Sequence, residues 1–321
     1  MPKQYVVGID IGGQTSKLGV VDARGDVLSQ TVIRTDTFGR DADAYIAALA
    51  EAVKSCIMQA GLTKEDIRGI GVGAPNGNYY TGEVAFAPNL AWAADQAVPL
   101  AQKLSDACGV PVSLTNDANA AAVGEMAYGA ARGMKNFIMI TLGTGVGSGI
   151  VIDGKVLYGH DGFAGELGHV NIIRDGRACG CGRKGCLEAY CSAIGIARTA
   201  REWLNCSDEP SLLRLCDEEK LSSKDIYDAA KRGDKMALRL FEYTGALLGR
   251  SFADFIAFSA PEAIVLFGGL ARAKEFLYEP MLRAMNDNVL SIWKDKVKIV
   301  FSQLKENDAA ILGASALAWE L

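Results

Sequence analysis

The sequence predicts an α/β protein of two lobes related by an internal duplication. Short apolar runs bounded by glycines and polar turns alternate with longer amphipathic stretches, which is typical of strands alternating with helices. A segment with the pattern strand, glycine-rich turn, strand, polar turn and strand occurs twice, at residues 5–33 and 136–159. At 321 residues the chain also exceeds the usual size of a single hydrophobic core. These observations together predict two lobes that each open with a β-meander.

The first half of the chain begins with the first meander. Its strands are YVVGID, KLGVVD and VLSQTVI, because each is short, rich in β-branched residues and bounded by turn signals. A helix is predicted at about 41–59, since four aliphatic residues recur there at helical spacing and Gly61 stands just past the end. The further elements expected are a strand near 67–73, a helix near 97–108, a strand at 110–115 and an alanine-rich helix from about 118.

The second half repeats the meander and continues with helices. Long helical patterns cover about 192–257, and the later elements are the strand AIVLFGG, a helix, the strand KVKIVFS and a last helix from about 308. We place a smaller lobe at residues 1–118, joined by the C-terminal helix 308–321, and a larger lobe at 119–307.

Composition and charge limit the classes of partner. The chain has 33 basic and 38 acidic residues, and this net charge of −5 without a Lys/Arg-rich block argues against nucleic acid. Its apolar runs are strand-sized and interrupted by charges and glycines, so none is predicted to span a membrane. The N-terminus runs directly into YVVGIDIGG and lacks the pattern of a signal peptide. We therefore expect a cytoplasmic protein with no nucleic-acid or membrane partner.

The first turn of each meander is rich in glycine and hydroxyl side chains. The segments are DIGGQTSK (10–17) and TLGTGVGSG (141–149), and both follow a strand. Glycines in such a turn let backbone N–H groups approach an anion closely, so two turns in matching positions favour phosphate binding. Neither segment is a P-loop, and neither opens a helix as a dinucleotide-binding turn does. Asp10 beside the first turn is suited to hold Mg²⁺ through water, and a turn-capping aspartate is the structural alternative.

An ordered set of motifs over essentially the whole chain resembles the ROK family of sugar kinases, close to its bacterial glucokinases. The motifs are DIGG with a following lysine, APN, NDAN, LGTGVGSG, GELGH, CGCGRKGCLE and FGG. The resemblance implies the two-lobed actin-like, ribonuclease H-like duplicated fold of the sugar kinase, Hsp70 and actin superfamily. It also implies that ATP binds between the lobes and that a hexose or N-acetylhexosamine binds beside the γ-phosphate.

The same resemblance supplies a set of nucleotide-binding residues: Asp10, Gly12, Gly13, Thr15, Lys17, Thr144, Gly145, Gly268 and Gly269. One position departs from the family pattern, in which the first turn usually has the form D-x-G-G-T. Gln14 stands where the threonine is usual, so we expect Thr15 to supply the side-chain contact instead.

Asp117 stands between a buried strand and an alanine-rich helix, in LTNDANAAAV. Taken alone, an aspartate there is as readily a helix N-cap as a catalytic group. Its match to the family's N-D-A-N motif implies the general base that takes the proton of the acceptor hydroxyl. The sugar ligands that the resemblance implies, besides Asp117, are Asn89, Asn116, Glu166, His169 and Glu188. For Asn89, a turn residue after proline is the structural alternative.

The segment GHVNIIRDGRACGCGRKGCLEAY gathers His169, Cys179, Cys181 and Cys186 with the spacing H-x9-C-x-C-x4-C. Three thiolates and an imidazole can close around a tetrahedral Zn²⁺, and a cytoplasmic location favours metal over a disulfide. A thioredoxin-like redox pair would need C-x-x-C, whereas the first two cysteines here form C-x-C. The sequence thus predicts a structural zinc in the larger lobe that fixes the loop between Glu166 and Glu188.

The function predicted is ATP-dependent phosphorylation of a hexose, with glucose as the expected acceptor. N-acetylglucosamine, N-acetylmannosamine and fructose remain alternative acceptors. A sugar-sensing ROK transcriptional regulator is the non-enzyme alternative, which the short segment before Tyr5, with no room for a helix-turn-helix, disfavours. The family resemblance further implies a homodimer.

Overall fold

The structure is a computed structural model that describes residues 3–304 and 306–321. The contacts between residues divide the chain into two compact units. Unit 1 comprises Met1–Met134, Gly149–Gly165 and Gln303–Leu321, and unit 2 comprises Lys135–Ser148 and Glu166–Ser302. The lobe boundary expected at 118/119 remains a prediction, and this division differs from it at 119–134 and 149–165.

The strands, in chain order, fall into two five-stranded sheets and one small pair. They are β1 (Tyr5–Ile11), β2 (Thr15–Asp22), β3 (Val27–Arg34), β4 (Ile67–Gly73), β5 (Val84–Ala85), β6 (Ala97–Val98), β7 (Val112–Thr115), β8 (Phe137–Leu142), β9 (Val146–Ile152), β10 (Lys155–Val156), β11 (Ala263–Phe267) and β12 (Lys298–Phe301). The first sheet has the order β3-β2-β1-β4-β7 and the second the order β10-β9-β8-β11-β12. In the first sheet β3, β2 and β1 pair antiparallel and β1, β4 and β7 pair in parallel; in the second, β10 and β9 pair antiparallel and β8, β11 and β12 pair in parallel. The predicted duplication of the β-meander is therefore present.

The helices differ widely in length, from 4 to 25 residues. They are α1 (Ala42–Gln59), α2 (Leu100–Cys108), α3 (Asp117–Tyr128), α4 (Glu188–Cys191), α5 (Ala193–Cys206), α6 (Ser223–Lys231), α7 (Lys235–Ser259), α8 (Lys274–Asn288) and α9 (Glu306–Leu317). Within the described residues, no helix combines the length and the apolar character that crossing a membrane requires.

The core of unit 1 forms where helices cover the first sheet. Apolar residues of β1, β2 and β4 pack with α1, which buries Tyr45 and Leu49 completely. The last helix, α9, lies on the same sheet, because a Cβ at Gly8 or Gly71 would collide with the backbone of α9. These close approaches place the C-terminal helix in unit 1.

Most predicted elements occur with small shifts at their ends. The helix expected from residue 97 begins at Leu100, because Ala97 and Val98 pair as a short strand with β5 and Pro99 precedes the helix. The third strand of the second meander, β10, has only two residues, because only Lys155 and Val156 pair with β9.

Candidate functional site

The first glycine turn joins β1 to β2 in unit 1. The N–H of Gly12 donates to the carbonyl oxygen of Thr15 at 3.0 Å and closes the turn. Gly13 lies against the loop that carries Asn89, since a Cβ at Gly13 would be 2.9 Å from the Asn89 carbonyl oxygen. The side chain of Gln14 is exposed, and Thr15 is half-buried as the first residue of β2. The structure therefore places the first glycine turn directly beside a predicted sugar ligand.

Two predicted carboxylates, Asp10 and Asp117, lie at the same edge of the first sheet: Asp10 is near the carboxyl end of β1, Asp117 follows β7, and β4 lies between these two strands. Asp10 of β1 pairs with Gly73 of β4, and Gly73 pairs with Thr115 at the end of β7. The start of α3 then packs on Gly73, where a Cβ would be 3.5 Å from the Cα of Asp117. Sheet register thus brings together two residues that are more than a hundred positions apart in sequence.

Asn116 and Asp117 begin α3. The side chain of Asn116 is the N-cap and accepts from the N–H of Ala118 at 2.8 Å. An Oδ1 atom of Asp117 accepts from the same N–H at 2.8 Å, which orients its carboxylate. Asn116, not Asp117, is therefore the N-cap of α3. Asp117 is exposed and keeps its second carboxylate oxygen for another partner.

The electrostatics of this pair favour proton acceptance. Burial raises the pKa of Asp10 to about 6, and the charge of Asp117 adds to this rise, while Lys17 opposes it. Burial also raises the pKa of Asp117, against the lowering effect of the Ala118 N–H. Asp117 also has accessible surface, so this burial is partial. A carboxylate with a raised pKa is a stronger base near neutral pH.

The second glycine turn joins β8 to β9 and lies in unit 2. The N–H of Gly143 donates to the carbonyl oxygen of Gly145 at 3.0 Å, and Thr144 is exposed at the tip. A Cβ at Gly145 would collide with Oε2 of Glu188, which accepts from the N–H of Val146 at 2.9 Å. This turn, like the first, therefore packs against a predicted sugar ligand.

Gly268 and Gly269 follow β11, the parallel neighbour of β8. Gly268 has φ of +103°, and a Cβ there would be 2.6 Å from the Leu142 carbonyl oxygen, at the entrance to the second turn. Apart from the adjoining residues, no atom of the described part of the chain lies within 4 Å of the position that a Cβ at Gly269 would occupy. The two predicted nucleotide segments of unit 2 are therefore adjacent, and one of them borders open space.

The GELGH motif forms a short 3-10 turn, Leu167–His169, that is pressed against the start of β9. A Cβ at Gly168 would collide with the Val146 carbonyl oxygen, and the N–H of Leu167 donates to Ser148 Oγ at 2.9 Å. Glu166, immediately before the turn, is exposed. Gly168, which lies between Glu166 and His169 in the chain, and the carboxylate of Glu188 thus both contact Val146, next to the second glycine turn.

The predicted metal ligands form one cluster. A ligand atom from each of His169, Cys179, Cys181 and Cys186 lies within 4.8 Å of the other three. The Cys179 Sγ to His169 Nδ1 and Cys181 Sγ to Cys186 Sγ distances are both 3.7 Å. Two sulfurs each ~2.3 Å from a tetrahedral zinc ion stand ~3.8 Å apart, so the donor set and its spacing fit zinc.

Glu188 contacts both this cluster and the second turn. Its Oε2 accepts from Val146, while its Oε1 accepts from the Cys179 thiol at 3.5 Å. Burial is the main cause that raises the pKa of the Cys179 thiol to about 12, so this thiol carries the proton that it donates to Glu188. The carboxylate of Glu188 therefore links the cysteine cluster to the turn predicted to bind phosphate.

One residue that holds the cysteine loop was not predicted from the sequence. The side chain of Arg177 is 9% exposed and donates to Thr199 Oγ1 at 2.9 Å and to the Ala189 carbonyl oxygen at 3.2 Å. Its guanidinium also lies 4.4 Å from the centre of the Tyr190 ring. In the sequence Arg177 is one of several basic residues around the cysteines, and no local pattern distinguishes the buried one.

Comparisons with known proteins show which family the chain belongs to. The sequence model of the ROK family matches residues 6–320. The chain is 37% identical to a glucokinase of Halalkalibacterium halodurans, over 99% of this chain and 96% of the relative. Among solved structures, a ROK family glucokinase from Streptomyces griseus, in complex with glucose and AMPPNP, has a TM-score of 0.81 and 33% identity over 99% of this chain and 100% of that chain.

A solved ROK family transcriptional regulator, a homolog of the E. coli MLC protein, is also similar. Its TM-score is 0.88 at 28% identity, over 99% of this chain and 78% of that chain. The predicted fold class is confirmed by these neighbours, while the roles of the individual site residues stay predictions. A family match over nearly the whole sequence and a full-length relative at 37% identity show that the chain belongs to the ROK family.

Proposed function

We propose that the protein transfers the γ-phosphoryl group of ATP to a hydroxyl of a hexose, and that glucose is the acceptor. The observation that carries the proposal is Asp117. Its carboxylate is held at the start of α3 by Ala118, has a raised pKa and lies beside Asp10 near the first glycine turn. A positioned carboxylate and phosphate-binding turns are the parts that phosphoryl transfer requires.

The residues divide the work of the reaction. Backbone N–H groups of the two glycine turns bind the phosphates, and Lys17 adds a positive charge on β2. Asp10 would hold Mg²⁺ through water, and a bound Mg²⁺ ion would neutralise phosphate charge. Asp117 accepts the proton of the sugar hydroxyl as the hydroxyl oxygen forms the bond to the γ-phosphorus. The bond from that phosphorus to the bridging oxygen breaks, and ADP leaves with the electron pair.

Asn89, Asn116, Glu166, His169 and Glu188 are the proposed ligands of the other sugar hydroxyls. His169, Cys179, Cys181 and Cys186 would hold a structural zinc ion, which supplies rigidity to the loop. A metal-bound Cys179 is a thiolate without a proton to donate. In that state Oε1 of Glu188 loses its thiol donor and becomes available to a sugar hydroxyl.

The acceptor is proposed from similarity to glucokinases, one of which is solved with glucose. N-acetylhexosamines and fructose are the competing acceptors. A sugar-sensing regulator is the second candidate function, because the solved regulator has the same fold at a TM-score of 0.88. We further propose a cytoplasmic homodimer, which sedimentation of the purified protein tests.

The deciding experiment is a coupled assay of ADP release with a panel of hexoses and N-acetylhexosamines. We expect hexose-dependent ADP release with the highest kcat/KM for glucose. A higher kcat/KM for another sugar would reassign the acceptor. Sugar binding without any ADP release would contradict the kinase and favour the regulator.

A further inference from the structure

Tyr45 lies behind the first glycine turn, at the centre of a buried hydroxyl network. Its hydroxyl is 2.7 Å from Ser16 Oγ, which is in turn 2.7 Å from Thr35 Oγ1. Thr35 also donates its backbone N–H to the carbonyl oxygen of Gln14, within the turn, at 2.8 Å. All three hydroxyl groups belong to buried residues, so each depends on the others for its hydrogen bonds. The network therefore stabilises the first glycine turn through hydrogen bonds to buried residues.

The ring of Tyr45 contacts a different segment. It stacks on the indole of Trp92, with the ring centres 4.7 Å apart and an interplanar angle of 18°. Trp92 lies in the turn Ala91–Ala93, which closes the loop carrying Asn89 through a 3.0 Å hydrogen bond from Ala87 N to the Ala93 carbonyl oxygen. The buried Trp92 Nε1 has no hydrogen-bond partner within the described part of the chain, so packing against Tyr45 is what orients the indole.

The turn and the loop are thus joined twice. They touch directly where Gly13 lies against the Asn89 carbonyl oxygen, and they are joined through the core by Ser16, Tyr45 and Trp92. A shift of either segment would disturb the other, because close-packed interiors transmit displacement. Burial raises the pKa of Tyr45, so its hydroxyl stays protonated and available to the network.

We propose that Tyr45 is a positioning residue that couples the binding of ATP to the binding of the sugar. This inference rests on the proposed function, since it takes the first turn as a phosphate site and Asn89 as a sugar ligand. Nucleotide bound at the turn fixes the Asn89 loop through Tyr45, and sugar bound at the loop fixes the turn to the same degree, because binding linkage is reciprocal.

The test is calorimetric titration of glucose into the protein with and without saturating AMPPNP. The ratio of the two dissociation constants measures the coupling. We expect a ratio of about 5 or more in the wild type, within the ordinary range of coupling between sites. Tyr45→Phe keeps the stacked ring and removes the hydroxyl, so the ratio should fall toward 1 while the affinity for glucose alone changes less than about twofold.

Two further variants make the result specific. Tyr227→Phe removes a phenol hydroxyl that lies 2.8 Å from Glu275 Oε1, in unit 2, and should leave the ratio unchanged. Trp92→Phe reduces the stacked area at the other end of the network and should lower the ratio by an intermediate amount. If Tyr45→Phe does not fold, Trp92→Phe carries the test.

The outcomes separate this inference from the proposed function. An unchanged ratio in Tyr45→Phe and Trp92→Phe, or a wild type that binds both ligands and turns over with a ratio of 1, would overturn the coupling alone. Equal weakening of both ligands with an unchanged ratio would show a merely structural role. A wild type with no hexose-dependent ADP release would instead overturn the proposed function.

Discussion

The two glycine turns each pack against a predicted sugar ligand, but they are held there by different means. In unit 1 the contact is between backbones, Gly13 on Asn89, and it is reinforced by the buried Tyr45. In unit 2 the contact is with a side chain, since the Glu188 carboxylate fills the space beside Gly145 and reaches Cys179 with its other oxygen.

The difference separates two sources of rigidity. The first contact depends on the hydrophobic core of its unit, which buries Tyr45 and Trp92 almost completely. The second depends on a loop that carries the four proposed metal ligands, of which His169 and Cys179 are only half-buried and Cys181 is exposed. Loss of metal should therefore damage the second arrangement and leave the first intact.

The largest expected effect comes from a residue that belongs to neither contact. Asp117→Asn removes the base but keeps the shape of the side chain, so both ligands should still bind. Turnover should fall by about 10²-fold or more, the usual share of general-base catalysis. Steady-state kinetics with calorimetry of glucose and AMPPNP checks this, and near-normal kcat in the folded variant would remove Asp117 from its assigned role.

The next effect breaks the second arrangement. Cys181→Ser should lower metal content and raise the KM for glucose by about 10- to 100-fold, because the loop would no longer hold His169 and Glu188 in place. Cys206→Ser is the matched control, since Cys206 is exposed and lies at the end of α5, outside the cluster. If the two variants behaved alike, the cluster would have no part in sugar binding.

A pair of glycine variants sharpens the comparison further. Gly145→Ala would collide with the Glu188 carboxylate, so it should raise the KM for both ATP and glucose by about tenfold. A Cβ at position 143 would have no atom of the described residues within 4 Å, apart from the adjoining ones. Any change in KM caused by Gly143→Ala would therefore report only on the approach of phosphate to the turn. We expect Gly143→Ala to raise the KM for ATP and to leave the KM for glucose unchanged. If Gly143→Ala raised the KM for glucose as much as the KM for ATP, the effect of Gly145→Ala on glucose could not be assigned to Glu188.

The smallest effect is a pH dependence that belongs to unit 1. The raised pKa of Asp10, about 6, means that its charge is lost as the pH falls below about 6, and the raised pKa of Asp117 shifts the loss of its charge to higher pH as well. The kcat/KM should therefore decline there, well above the ordinary range of a carboxyl group near pH 4. A pH–rate profile that stayed flat down to pH 5 would show that neither carboxylate limits the reaction.

The raised pKa of Asp10 has the opposite effect on the free energy of unfolding, which falls as the pH rises. Folded Asp10 keeps its proton to a higher pH than the unfolded chain, so this group's stabilising contribution is lost as the pH rises from about 4 to 6. Relative to wild type, Asp10→Asn should gain stability over that interval, as measured by urea unfolding. A constant stability difference between the two proteins would contradict the raised pKa.

The sequence predicts much of this arrangement because its signals are local. Glycine turns after strands, the spacing of His169 and the cysteines, and the strand that ends before Asp117 all depend on neighbours in the chain, and the structure has each of them. The repeated meander also follows from pattern alone, because strand and turn signals recur in the same order.

Other contacts depend on distant residues and leave no local signal. Tyr45 looks like an ordinary core residue of an amphipathic helix, and only sheet and helix packing bring its hydroxyl to Ser16. Likewise, Glu188 was predicted as a sugar ligand, yet nothing in GCLE indicates its hydrogen bond to Val146, which lies 42 positions earlier in the chain. The ends of α2 and β10 differ for a similar reason, since strand pairing, not propensity, sets them.

The most direct test of the two sources of rigidity is removal of the metal from the wild-type protein by a chelator, followed by separate titrations with glucose and AMPPNP. We predict about one zinc per chain before treatment, a loss of glucose affinity of at least about tenfold after it, a change in AMPPNP affinity below about threefold, and recovery of both on adding zinc. Equal loss of both affinities would contradict the account, because the metal would then hold the whole unit, and full glucose affinity without metal would refute its role in the sugar site.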